Sequence, residues 1–170
     1  MVTAYIALGA NLGDAALAIR QAVFAINELL LCSVTKTSCL YKTAPLETVP
    51  NHEAGGDYIN AVVEIQTTLP APTLLQNLQQ IEQAAGRKRP YINAPRTLDL
   101  DLLIYGDGRI DSPELTVPHP RMWQRAFVLV PLHEVAPGLV GSEALERVAR
   151  QSIALLTSAP LLKTAALPAR

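Results

Sequence analysis

Little in this sequence points outward to a membrane, a nucleic acid or an oxidising compartment. It has two cysteines, Cys32 and Cys39, in 170 residues. They lack metal-ligand spacing and lie among apolar neighbours, which predicts reduced core thiols, although their separation also permits a disulfide. There is no excess of either charge: a net charge of −1 and a pI near 6.3 provide no global attraction for nucleic acid or an anionic membrane. No run of about 18 apolar residues is present, nor a basic stretch leading into an apolar segment and a cleavage site. The expectation is a cytoplasmic protein, neither nucleic-acid-bound nor membrane-bound. No segment reads as a dedicated dimerisation element, which predicts a monomer. Repeats and interdomain linkers are also missing, so residues 1–160 read as one domain and residues 161–170, rich in Ala and Leu with one proline, as a loosely held tail. At 49% hydrophobic residues and a mean hydropathy of +0.21, the chain is too apolar to be disordered and long enough for a good core.

What is present centres on Arg96-Thr97-Leu98-Asp99-Leu100-Asp101-Leu102-Leu103-Ile104-Tyr105. A strand turns successive side chains to opposite faces, so Thr97, Asp99 and Asp101 share one side and Leu98, Leu100 and Leu102 the other. Beyond Asp101 both faces are apolar, which places the two carboxylates where the strand leaves the core. Two acids held side by side invite a hard cation such as Mg2+, which takes carboxylate oxygens and keeps positions for water or phosphate. The same pattern alone also describes an edge strand with solvated acids. Of the 14 Lys and Arg, seven fall between positions 87 and 125, so the half of the chain holding the aspartates is locally basic.

In chain order, residues 2–8 read as a strand, followed by the turn Gly9-Ala10-Asn11-Leu12-Gly13 and by Asp14 as an N-cap. The turn has neither the Gly-Lys-Ser/Thr ending of a Walker sequence nor the third Gly of a dinucleotide fingerprint, so a structural turn is expected. Ile19, Val23, Ile26 and Leu30 form one apolar stripe of a first helix. Residues 33–41 read as a second strand and 42–57 as a long loop, a feature often functional. Residues 58–65 read as a third strand that puts Tyr58 and Asn60 on one face; the pair suits a flat heterocycle, but equally a core tyrosine beside a turn. Leu74, Leu78, Ile81 and Ala85, with Gly86 as the stop, define a second helix with Gln79 and Glu82 on its polar side. The bases Arg87, Lys88 and Arg89 open a Pro-interrupted loop that reads as a phosphate clamp or as a solvated charge run. Gly106-Asp107-Gly108 predicts a turn returning residues 109–111 as a hairpin strand. Residues 115–120 are extended because two prolines bar helix. Residues 121–135 are predicted helical in part, and 142–156 as a helix.

Taken in order, Tyr5-Ile6-Ala7-Leu8-Gly9-Ala10-Asn11-Leu12-Gly13-Asp14, Thr43-Ala44-Pro45-Leu46, Tyr58-Ile59-Asn60-Ala61, Pro95-Arg96-Thr97-Leu98-Asp99-Leu100-Asp101-Leu102-Leu103 and Val117-Pro118-His119-Pro120-Arg121-Met122 with Arg125-Ala126-Phe127 resemble the 6-hydroxymethyl-7,8-dihydropterin pyrophosphokinases of folate biosynthesis. The resemblance runs from about residue 2 to about residue 140. It implies an α/β (α+β) sandwich, ferredoxin-like, with a largely antiparallel sheet and helices on both faces. It implies transfer of the terminal pyrophosphoryl unit of ATP to the pterin's hydroxymethyl oxygen, with release of AMP.

By match of motif, Asp99 and Asp101 would bind two Mg2+ ions and, with Arg87 and Arg96, form the catalytic set. Thr43, Pro45, Leu46, Tyr58, Asn60 and Phe127 would bind the pterin. Gln79, Glu82, Arg87, Arg89, Arg96, His119 and Arg125 would surround ATP. Where relatives usually carry Trp in the loop before Pro-Arg, this chain has Asn93, with Tyr91 the nearby aromatic, and position 120 is Pro where some relatives carry an aromatic residue. Phosphoryl transfer asks mainly for positioning and charge stabilisation, which fits a chain with no obvious nucleophile. Two other readings suit the same residues: a non-catalytic pterin- or nucleotide-binding protein on this fold, and a two-metal phosphohydrolase.

Overall fold

The computed structural model describes residues 1–44, 56–86, 97–158 and 161. Its centre is a six-stranded antiparallel sheet built from β1 (Val2–Ala10), β2 (Cys32–Thr37), β3 (Leu40–Thr43), β4 (Tyr58–Thr67), β5 (Asp99–Tyr105) and β8 (Ala154–Thr157). The order is β5-β1-β4-β3-β8, with β2 also paired to β4. β6 (Ile110–Asp111) and β7 (Thr116–Val117) form a separate two-stranded ribbon. Helices α1 (Ala15–Asn27) and α2 (Ala71–Ala84) cover one face, and α3 (Ala126–Val135) and α4 (Ser142–Val148) the other.

The two faces follow from the alternation of apolar residues along the central strands. Ile6 and Leu8 of β1, Val63 and Ile65 of β4, and Leu100 and Leu102 of β5 pack under α1 and α2. Tyr5, Val62 and Leu103 pack instead with Val128, Leu129 and Leu132 of α3. Each sheet face is therefore apolar where a helix covers it, the arrangement that buries a two-sided sheet. No helix among the described residues is long and apolar enough to cross a membrane.

Several local expectations hold and several give way to tertiary structure. Asp14 caps α1 by accepting from the Leu17 amide at 2.9 Å. Leu30 is not part of the stripe: α1 ends at Asn27 and Leu30 is exposed. The strand expected over 33–41 is two strands. It breaks at the buried Ser38, whose hydroxyl accepts from the Val62 amide at 2.9 Å and donates to the Cys39 carbonyl at 2.8 Å. β6 pairs with β7 rather than folding back on β5. The helix expected over 142–156 ends at Val148, and Ala154–Thr157 forms β8 against β3. Leu161, assigned to the tail, is buried, and its amide donates to the Thr37 hydroxyl at 3.1 Å. Both cysteines are free thiols and only half-buried.

A bulge in β2 sets two residues opposite one: the register steps from Val34↔Ile65 to Lys36↔Glu64, so Thr35 and Lys36 both reach Glu64. The buried Glu64 carboxylate accepts from Thr35 at 2.9 Å, Lys36 at 3.0 Å and the Tyr5 hydroxyl at 3.0 Å. Burial alone would raise its pKa, but these hydrogen bonds and the Lys36 charge outweigh burial and hold it below the ordinary carboxylate value. The Tyr5 hydroxyl is pushed up to about 12 by burial and by Glu64.

A carboxyl whose folded pKa is depressed stabilises the fold above its unfolded value, and that stabilisation is lost as pH falls through the folded value. Glu64→Gln is therefore expected to be less stable than the parent at neutral pH. The gap should shrink in acid, below about pH 4. Urea midpoints measured across that range check this; a gap independent of pH would refute it.

Candidate active site

Register across the sheet assembles the site. Gly9 of β1 pairs with Asn60 of β4 on one side and with Asp99 of β5 on the other. One step along, Ala7 pairs with Val62 and with Asp101. Cross-strand partners share a face, so Asp99, Gly9 and Asn60 form a row on the α3 side of the sheet. Two interstrand steps of about 4.8 Å separate Asp99 from Asn60 by about 10 Å at the backbone. Between them Gly9 contributes no side chain. A Cβ built there would meet, among the described residues, one atom within 4 Å, the Asn60 Oδ1 at 3.4 Å. A covered central strand thus opens a gap between an amide and a carboxylate.

On the amide side, Asn60 is buried, and its Nδ2 donates to the Thr43 hydroxyl at 3.0 Å. Tyr58 pairs with Thr43 and extends the row. Close by, Lys42 pairs with Asp57 at 3.0 Å, and Asn11 donates to the Gly56 carbonyl at 3.3 Å. The expected pterin residues Thr43, Tyr58 and Asn60 therefore come together.

On the acid side, Asp99 is buried and Asp101 half-buried. His119 is tied beside them: its amide donates to the Leu103 carbonyl at 2.8 Å, and its Nδ1 accepts from the Arg121 amide at 3.3 Å. Burial lowers the His119 pKa, aided by Arg125 and Arg121, while Asp101 and Asp99 pull it upward. All four charges are thus near one imidazole. Arg125 also lies over the Phe127 ring, 5.4 Å from its centroid. These two residues open α3 above the sheet.

Glu82 departs from expectation. It is not on a solvated face but is 2% exposed, and its Oε1 accepts from the Leu100 amide at 2.7 Å. Leu100 lies between the two aspartates. Gln79 is exposed one turn earlier on α2, the helix on the opposite face, and is not drawn into the row. Pro45, Leu46, Arg87, Arg89 and Arg96 lie outside the described residues.

The donor set fits Mg2+. Asp99 and Asp101 are hard oxygen donors two apart on one strand, and no group of three or more His, Cys, Asp or Glu that could hold a metal occurs among the described residues. Two protein carboxylates leave most of an octahedral shell for phosphate oxygens and water, the usual arrangement for Mg2+ on a nucleotide.

Gly9 is the site residue that sequence reasoning passed over, as part of a turn. The signal was a glycine at the end of an apolar strand, where such a residue often marks close approach. Gly9→Val is expected to leave the melting temperature unchanged or raised, because Val suits a strand. It should also weaken pterin binding, since added volume in a filled site costs about 1–3 kcal/mol. Calorimetric titration and a thermal melt check this; unchanged affinity would mean that the gap is not occupied by substrate.

Comparisons with known proteins place the whole chain rather than its individual site residues. The family model for 7,8-dihydro-6-hydroxymethylpterin-pyrophosphokinase matches residues 5–137. A Bacillus subtilis 2-amino-4-hydroxy-6-hydroxymethyldihydropteridine pyrophosphokinase is 44% identical over 132 residues, covering 78% of this chain and 77% of its own. A Haemophilus influenzae protein of the same name is 45% identical over 140 residues, covering 82% and 85%. Among solved structures, wild-type Plasmodium falciparum HPPK-DHPS matches with a TM-score of 0.62 at 14% identity over 89% of this chain and 45% of that one, a likeness of fold. The chain belongs to the 7,8-dihydro-6-hydroxymethylpterin-pyrophosphokinase family.

Proposed function

We propose that the row Asp99–Gly9–Asn60 is a bisubstrate floor, with the pterin on the Asn60 side and the Mg2+-bound phosphates of ATP on the Asp99 side. As a member of its family, the chain is a pyrophosphokinase that transfers pyrophosphate to hydroxymethyldihydropterin in folate synthesis. In that reaction the hydroxymethyl oxygen forms a bond to the β-phosphorus of ATP. The bond from that phosphorus to the α–β bridging oxygen breaks, AMP leaves with the bridging oxygen, and the hydroxyl proton goes to solvent.

The observation that carries the arrangement is Gly9 paired on both sides, where a Cβ would meet, among the described residues, only the Asn60 Oδ1, at 3.4 Å. It lets a substrate cross from the amide to the acids without climbing over a side chain. Asn60, oriented by Thr43, offers its amide to the edge of a flat heterocycle. Tyr58 and Phe127 supply apolar ring surface. A buried polar edge of this kind also rejects wrong rings, because they would leave its groups unpaired. Asp99 and Asp101 would hold Mg2+, two ions by the family resemblance; bound there, the metal neutralises the oxygens being joined and separated. Arg125 and His119 face the same phosphates, where a guanidinium fork suits paired oxygens. Arg87, Arg89 and Arg96, with Gln79 and Glu82, complete the proposed nucleotide shell, and Pro45 and Leu46 the pterin shell. A single catalytic domain acting as a monomer in the cytoplasm suffices for this chemistry.

The test is an assay with Mg2+, ATP and 6-hydroxymethyl-7,8-dihydropterin. AMP is expected, dependent on both the pterin and the metal. Formation of ADP would overturn the transfer chemistry, inorganic phosphate released without pterin would indicate a phosphohydrolase, and binding without AMP would indicate a non-catalytic carrier.

A further inference from the structure

The C-terminal end of α3 is held to the sheet by polar contacts that the reaction itself does not use. Lys36 Nζ donates both to Glu64 Oε2 at 3.0 Å and to the carbonyl of Val135, the last residue of α3, at 3.2 Å. That carbonyl is one of those a helix leaves without an internal partner, and the helix dipole favours a cation there. Next to it, Glu134 accepts from the Cys39 amide at 3.0 Å and from the Tyr41 hydroxyl at 2.9 Å. Glu64 is held in turn by Tyr5 and Thr35, so the anchor is fixed to three adjacent strands.

The other end of α3 carries Phe127. A ten-residue helix is about 15 Å long, so a tilt of about 4° about one end moves the other by about 1 Å. The face of α3 that meets the sheet is apolar, lined by Val128, Leu129, Leu132 and Val135. Such packing sets depth but is non-directional. Pro131, inside the helix, also lacks the amide that would bond the Phe127 carbonyl, so the helix ladder holds its first turn less firmly. At its start α3 is tied by the Ala126 amide, which donates at 2.8 Å to Gln151 in the segment after α4, whereas the polar contacts from α3 to the strands themselves, among the described residues, lie at the far end and set its angle to the sheet.

We infer that the Lys36–Glu64 clasp on the Val135 carbonyl makes Lys36 a positioning residue, which sets where Phe127 stands over the pterin by fixing the tilt of α3. This rests on the assignment of Phe127 to the pterin. Lys36 is half-exposed and contacts neither the Asp pair nor Asn60 through its hydrogen bonds, so its removal spares the site's own groups.

The experiment compares Lys36→Met, Phe127→Ala, the double variant and Lys36→Arg by steady-state kinetics at saturating MgATP, each with a thermal melt. Lys36→Met should raise the pterin KM about threefold to tenfold with kcat changed much less, since displacements of this size near a reacting pair are costly. Lys36→Arg, which can still bridge both oxygens, should restore it. In the Phe127→Ala background Lys36→Met should add nothing further, because its effect passes through that ring. An unchanged pterin KM in Lys36→Met, or effects that multiply in the double variant, would overturn the inference. Lys36→Gln, which keeps a neutral donor, replaces Lys36→Met if the latter fails to melt cooperatively. If Phe127→Ala itself leaves the pterin KM unchanged, the assignment of Phe127 fails, an outcome distinct from failure of the clasp.

Discussion

Asp99→Ala and Asp101→Ala are each expected to lose at least a thousandfold in AMP formation while keeping a cooperative melt. The two carboxylates share one face of β5 and both press on His119, so they occupy one electrostatic neighbourhood. Removing one takes away half of the protein's grip on the proposed metal. Metal ions supply several kcal/mol of charge stabilisation in such transfers, and each loss of about 1.4 kcal/mol is tenfold in rate. A thermal melt in metal-free buffer separates loss of turnover from loss of fold. Asp99→Asn and Asp101→Asn keep the shape and remove the charge, and should fail as badly as the alanine variants. Near-normal turnover in either position would end the metal assignment, whereas loss of the melt would make the aspartates structural.

Parts of this arrangement were legible in the sequence because they depend on one strand or helix at a time. The period of two along β5 separates Asp99 and Asp101 from Leu98, Leu100 and Leu102, and the structure keeps that division. Asp14 caps α1 for a reason contained within four residues. What the sequence concealed depends on partners far along the chain. The gap at Gly9 exists only because β4 and β5 flank β1 in one particular register. β8 is strand rather than helix because β3 offers it a ladder, a tertiary contact that overrides the propensity of an Ala/Leu-rich segment. The break at Ser38 is invisible until the Val62 amide is there to bond its hydroxyl. Glu82 misleads for the same reason: three residues from the exposed Gln79, it looks like a solvated acid until β5 is brought against α2.

Glu82→Ala is accordingly expected to be the most destabilising single change in the site. Leu100 faces Leu8 in the ladder, yet its amide points to the outer edge of β5, where the carboxylate meets it at 2.7 Å. Among the described residues β5 pairs only with β1, and an edge strand's unpaired amides must find partners. Alanine would leave that amide buried without its acceptor and open a cavity under α2, together costing about 2–4 kcal/mol. For a chain of this size that lowers the melting temperature by about 5–15 °C. Glu82→Gln keeps a carbonyl oxygen for Leu100 and should recover most of the loss, which separates the hydrogen bond from the charge. Turnover should fall with stability in the alanine variant, because Leu100 is flanked by both aspartates and a displacement of about 1 Å at a reacting centre can cost about a hundredfold. A melt of Glu82→Ala that overlays the parent would show that the strand bearing the acids is held by something other than this carboxylate. In that case the position of Asp99 and Asp101 would have to be traced to β1 alone.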